Sequence, residues 1–332
     1  MHYLTIPRTS LSVSAVCLGT AGQGILNTDA EAFAVFDRYL ELGGTFIETA
    51  RVYSDWVPGE RGRSERILGD WMASRKVRDR VILSTKGGHP LIGIPDVPWS
   101  PRLSPAELAI DVAASLAALR TDCIDLYYLH RDDERIPVSE IIDTLEAFVA
   151  KGNLRYYACS NWTPQRIDQA MRYAQSRQVS GFVTNQVEWH MALRHATPTG
   201  YADVLTHTDE TEAVMREHRI AAVPHSSQAN GFFSKFLAGG AAREKAIATR
   251  YFTPPNEALA NRLRDIAKRH AVSIEALVLG FFATSPLTVI PAVGPHRIEH
   301  LESTMAAINT PLTPACLQEI ARAHDGSVAS DT

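Results

Sequence analysis

SPAELAIDVAASLAALRTDCIDLYYLH, residues 104–130, holds one complete helix-then-strand unit. Ser104 reads as the N-cap, Pro105 as the first helical residue and Glu107 as the reciprocal partner of a capping box. Leu108, Val112, Leu116 and Leu119 then recur at spacings of four, four and three, which line one helix face. Ile124–Leu129 follows as a near-continuous apolar run, the pattern of a strand covered on both faces, as in parallel sheets. Working outward, similar runs appear at Val16–Gly19, Thr45–Ile47, Val81–Thr85, Leu154–Cys159, Phe182–Gln186, Ile220–Pro224 and Val289–Pro291. Helical patterns separate them, with further helix starts at Thr28 with Glu31 and at Thr163-Pro164. Eight strands alternating with helices predict an α/β fold, a closed (β/α)8 TIM barrel in a single domain. An open doubly wound sheet is the alternative, because periodicity does not encode closure. Residues 1–322 are expected to form the barrel and 323–332 a flexible tail.

The 332 residues carry 33 Lys plus Arg against 37 Asp plus Glu, a formal charge of −4. That balance lacks the global basic field of a nucleic-acid binder. No stretch approaches the 18 consecutive apolar residues of a membrane helix, and MHYLTIPRTS has no apolar signal core. Cys17, Cys123, Cys159 and Cys316 show no C-x-x-C spacing, so no metal cluster is expected. Unpaired thiols fit a reducing cytoplasm. The Gly-rich GTAGQG (19–24) fails G-x-G-x-x-G, since the pattern begun at Gly22 meets Asn27. P-loop and H-E-x-x-H patterns do not occur in the chain.

Barrel chemistry sits where strands end. The polar residues just past those ends include Glu48, Tyr53, Lys86 and His130. A Tyr phenol is too weak an acid for neutral pH unless a neighbouring ammonium favours its anion. Lys86 serves as that ammonium, Glu48 as its anchor, and His130 as a group that orients a carbonyl oxygen. Each residue alone is ordinarily a packing or surface residue. Their joint occurrence at the ends of three successive strands points to a carbonyl-protonating site.

These segments resemble the aldo-keto reductases. FIETARVY (46–53), GRSERILG (62–69), STKGG (84–88), DCIDLYYLH (122–130), CSNW (159–162), TNQVEWH (184–190) and VIPAVGPHRIEHLE (289–302) match family motifs in order. The resemblance implies a (β/α)8 barrel transferring hydride between NADP(H), with NAD(H) second, and a carbonyl. It implies a tetrad of Tyr53, Glu48, Lys86 and His130. It also assigns cofactor contacts to Thr20, Ser160, Asn161, Gln186, His225, Ser226, Ser227, Gln228, Gly231, Lys235, Ile290, Gly294, His296, Arg297 and His300. Within these, Ser160, Asn161 and Gln186 would hold the nicotinamide amide. The loop from 225 would follow the pyrophosphate, and His296 with Arg297 would meet the 2′-phosphate beside a helix N-terminus.

The sequence departs from the family pattern in three places. Glu48 replaces an Asp, His225 replaces the usual stacking Tyr, and Ser303-Thr304 replace a common Glu-Asn. A weakly active, cofactor-sensing partner subunit is the alternative that Glu48 raises. Trp56, Trp99, Trp162 and Trp189 lie just past strand ends and are expected to wall a substrate pocket. With the acidic loop 130–134, that pocket would suit a sugar or an aromatic carbonyl. The motifs do not encode the physiological substrate, the direction of reaction or the oligomeric state.

Overall fold

The computed structural model describes residues 1–94, 99–193, 204–239 and 250–325. Eight parallel strands form one sheet: β3 (Cys17–Gly19), β4 (Phe46–Glu48), β5 (Ile82–Gly87), β6 (Ile124–Leu129), β7 (Leu154–Ser160), β8 (Phe182–Gln186), β9 (Ala221–Ala222) and β10 (Ala292–Val293). From β3 to β9 each pairs with the next in sequence, and β10 returns to pair with β3, Ala292 opposite Cys17. Closure comes from the backbone just before β10. Ala222 N–H donates to the Thr288 carbonyl at 2.9 Å, Ile290 to Ala222 at 2.8 Å and Ala292 to Pro224 at 3.0 Å. The sheet is therefore a barrel, not an open fan. The eighth strand was expected at 289–291. Its pairing runs from 288 to 293 because one end of the segment meets β9 and the other meets β3.

Strand alternation builds two cores. Cys17, Phe46, Leu126, Tyr128, Ala158, Val183 and Ala221 point into the barrel. Leu18, Ile47, Leu83, Tyr127, Leu129 and Cys159 point outward under the helices. Both capping boxes form, with the Thr28 and Ser104 hydroxyls accepting from the Glu31 and Glu107 N–H groups. Thr163 caps the helix Pro164–Ser176 in the same way. Trp71 lies in the helix Arg63–Arg75, fully buried, its indole N–H donating to Asp37 at 2.8 Å. In that helix a Cβ on Gly69 would lie 2.2 Å from the Ala118 carbonyl, so glycine permits the close approach to the helix Pro105–Leu119.

An antiparallel hairpin absent from the sequence reading precedes the barrel: β1 (Tyr3–Thr5) and β2 (Ser12–Ser14). It sends Ile6, Leu11 and Val13 into the inner core and so plugs the N-terminal end. Chemistry is left to the other end. The last helix, Pro314–Asp325, carries regular structure past residue 322; residues 326–332 lie outside the described ones. No helix among the described residues is long and apolar enough to cross a membrane. All four cysteines are free thiols.

Candidate active site

Inward parity in β4 and β5 that places Phe46 and Ile82 in the barrel also places Glu48 and Lys86 there, at the C-terminal ends. Lys86 Nζ donates to Glu48 Oε1 at 2.5 Å, to the Tyr53 hydroxyl at 2.9 Å and to the Thr49 carbonyl at 3.3 Å. Glu48 and Lys86 are both buried. Burial works to lower the Lys86 pKa, but Glu48 and Tyr53 outweigh it and the ammonium is held above its usual range. Burial also raises the Tyr53 phenol above its ordinary value, with Lys86 pulling the other way. The expectation of a net lowering is thus reversed: desolvation exceeds the ammonium's effect, and the phenol rests protonated.

The His130 ring meets Tyr53 edge-on, with centroids 5.9 Å apart. It is buried, and its Nδ1 has no hydrogen-bond partner. Burial, with His89, Lys86 and Arg131 nearby, keeps its pKa well below normal, so it is a neutral imidazole. His89, which sequence reasoning missed, lies 4.6 Å from His130 and packs edge-on to Trp99 at 5.2 Å. Its position three residues after Lys86 was the available signal. Tyr53, His130, His89 and the exposed Trp56 and Trp99 make a connected aromatic mouth. Beside it lies a cavity of 340 Å³ lined by Trp99, Arg131, Asn161 and Leu205 among others.

Two expected pocket walls pack against neighbouring side chains. Trp162 is buried in the outer core, edge-on to Phe182 and under the Arg166 guanidinium, because the residue past a strand end turned outward. Trp189 is stacked on His207 at 3.8 Å, with Phe281 and Phe282 at its edges.

The expected cofactor residues divide similarly. Thr20 is fully buried, and its hydroxyl is 2.7 Å from that of Ser64, which also meets Thr49. Thr20 therefore fastens two strand ends and presents no surface. Ile290 lies wholly in the inner core as barrel wall. Ser227 is buried with its hydroxyl on the Ala292 carbonyl, pinning its loop to β10. Ser160, Asn161 and Gln186 do gather at the mouth. Asn161, at φ 59°, donates to the His130 carbonyl and Ser160 and accepts from the Leu205 N–H. The Gln186 amide donates to Glu48 Oε2. His225 is half-buried and burial holds its pKa down to about 4, so it stays neutral.

Ser226, Ala229, Asn230 and Gly231 all have positive φ, a concentration of strained backbone typical of functional loops. Lys235 closes onto the Asn230 carbonyl, while Gln228 precedes the left-handed stretch. Gly19 ends β3 and Gly294 follows the neighbouring strand β10, and a Cβ on Gly294 would lie 4.0 Å from the Gly19 carbonyl, so this part of the rim carries no side chain. Burial and the nearby His300, Arg297 and Lys235 lower the His296 pKa. This basic cluster stands at the start of the helix Ile298–Ile308. Sequence reasoning also missed the buried Glu188. It bonds Arg250 and Tyr251, and His190 and Arg250 hold it down to about 2 against the upward pull of burial.

The sequence model of the aldo/keto reductase family matches residues 15–325. This chain belongs to the aldo/keto reductase family. It is 30% identical to the uncharacterized oxidoreductase YrpG of Bacillus subtilis, over 96% of this chain and 94% of that one. It is 27% identical to norsolorinic acid reductase B of Dothistroma septosporum, over 98% and 82%. An aryl-alcohol dehydrogenase of Pestalotiopsis microspora is 28% identical, also over 98% and 82%. The chain is thus an oxidoreductase of a family that generally uses NAD(P)H on small carbonyls and alcohols.

Proposed function

We propose that the protein is an NADP(H)-dependent reductase of aromatic aldehydes or ketones, with Tyr53 as the proton donor. The observation that carries this reading is the Tyr53 hydroxyl on Lys86 Nζ, with the Glu48 carboxylate behind it. When bound, the nicotinamide supplies the hydride. Tyr53 delivers a proton to the carbonyl oxygen, and Lys86 stabilises the phenolate that remains. His130, neutral and edge-on to Tyr53, orients that oxygen. In the oxidative direction the same phenolate takes the proton back.

The chain's own residues fit the cofactor. The side-chain-free rim at Gly19 and Gly294 and the positive-φ residues Ser226, Ala229, Asn230 and Gly231 suit a pyrophosphate. His296, Arg297, His300 and Lys235 suit the further phosphate that distinguishes NADP from NAD. The aromatic mouth supports an aromatic substrate over a sugar, and two of the rim carboxylates are already engaged: Asp132 with Arg166 and Asp133 with Arg135. Names among the relatives, aryl-alcohol dehydrogenase and norsolorinic acid reductase, point the same way. The partner-subunit alternative drew on Glu48, and the Glu48–Lys86 contact supports the catalytic reading over it. The four free thiols support a cytoplasmic setting. The test is NADPH and NADH oxidation with a panel of benzaldehydes, aryl ketones and aldoses. Turnover of the aromatic set with NADPH is expected. Preference for aldoses, or for NADH, would overturn the corresponding half of the reading.

A further inference from the structure

β4 and β8 are separated by three strands in either direction around the eight-stranded ring, so they stand opposite each other. Glu48 ends the first and Gln186 the second, yet the Gln186 amide donates to Glu48 Oε2 while Lys86 occupies Oε1. Gln186, Glu48 and Lys86 are each nearly free of solvent exposure. A single carboxylate therefore joins the far wall of the barrel to the Lys86–Tyr53 pair. An aspartate on the same backbone, one methylene shorter, does not span both partners.

We propose that Gln186 is a positioning residue for proton transfer: it fixes the second oxygen of Glu48, and through it Lys86 and Tyr53. Glutamate stands at 48 because only the longer carboxylate reaches Lys86 and Gln186 together. This assignment rests on the reading of Tyr53 as the proton donor. The amide donor draws away part of the negative charge that Lys86 and Tyr53 would otherwise feel. Without it the ammonium is held more tightly by Glu48 and aims less well at the phenol. Tyr53 also faces Arg131 and His130, which this change leaves in place.

The experiment is a double-mutant cycle read on the enzyme without cofactor. The phenolate absorbance of Tyr53 is taken as the difference between each protein and its Tyr53→Phe counterpart across alkaline pH. Gln186→Met, which keeps the volume and removes the donor, should raise the Tyr53 midpoint by about half a pH unit or more. In the Glu48→Asp background, where the reach is already lost, Gln186→Met should add no further shift. Coincident midpoints for wild type and Gln186→Met would overturn the proposal, as would an equal shift in both backgrounds. Gln186→Asn, which keeps the amide but withdraws it by one methylene, should behave like Gln186→Met and serves if the latter does not fold. A parallel kcat/KM series with NADPH and benzaldehyde separates this proposal from the functional one. Absence of turnover in the wild type counts against the function, while the titration still decides the role of Gln186.

Discussion

At the scale of single residues, Glu48 sits where the family pattern has Asp. It reaches Lys86 at 2.5 Å and bonds Gln186 with its other oxygen. On the positioning proposal, the surroundings are fitted to the longer side chain. Glu48→Asp should lower kcat/KM by about tenfold, since catalysis is sensitive to displacements near 1 Å. Glu48→Ala should fall further, because it leaves Lys86 buried without a counter-charge. A steady-state comparison of the three proteins with one aromatic aldehyde checks the order, and a tenfold gain in the Asp variant would reverse the argument. The groups at 48, 53, 86 and 130 were legible in the sequence because strand ends and the family motifs together mark them. The 48–186 contact was not, since it joins residues 138 apart across the ring and depends on side-chain reach. Trp162 shows the opposite failure. Its position just past a strand end suggested the mouth, but backbone direction at that residue turns the indole under the helices.

Among the elements, the helices were clearest in the sequence, as Ser104-Pro105-Ala106-Glu107 and Thr28 with Glu31 state their own boundaries. Short strands were harder. The β9 pairing covers two residues, and the eighth strand divides its hydrogen bonds between two neighbours, which no local pattern encodes. The hairpin Tyr3–Thr5 with Ser12–Ser14 escaped notice because three-residue strands carry no usable periodicity. At the helix Ile298–Ile308, Arg297 is the N-cap residue and its exposed guanidinium pairs only loosely with Glu299, at 3.4 Å. It is available to a phosphate. Arg297→Ala should weaken NADPH binding by ~1–3 kcal/mol, the size of a hydrogen bond to a charged group. It should leave NADH binding nearly unchanged. Isothermal titration of both cofactors checks this, and equal losses for the two would remove the arginine from the 2′-phosphate site.

For the whole molecule, the two-core barrel with a plugged N-terminal end explains why the titratable groups of the site are desolvated together. That has a consequence for stability. His225 has a folded-state pKa of about 4, below its ordinary 6.5. The unfolded chain therefore takes up that proton first, so the stability His225 contributes is complete above pH 6.5 and is lost as pH falls toward 4. Urea unfolding near pH 7 and near pH 4 should show the wild type losing about 2 kcal/mol more than His225→Phe, allowing for partial exposure. Glu65, raised by burial to about 7, works in the other sense, but equally in both proteins. The account as a whole stands on Tyr53 as the proton donor. Its most direct test is Tyr53→Phe, measured for turnover of NADPH with a benzaldehyde and for NADPH affinity. The ring remains and only the donor is lost, so turnover should fall by ~10²–10⁴-fold while cofactor affinity stays close to wild type. Retention of about a tenth or more of the wild-type rate under chemistry-limited conditions would contradict it.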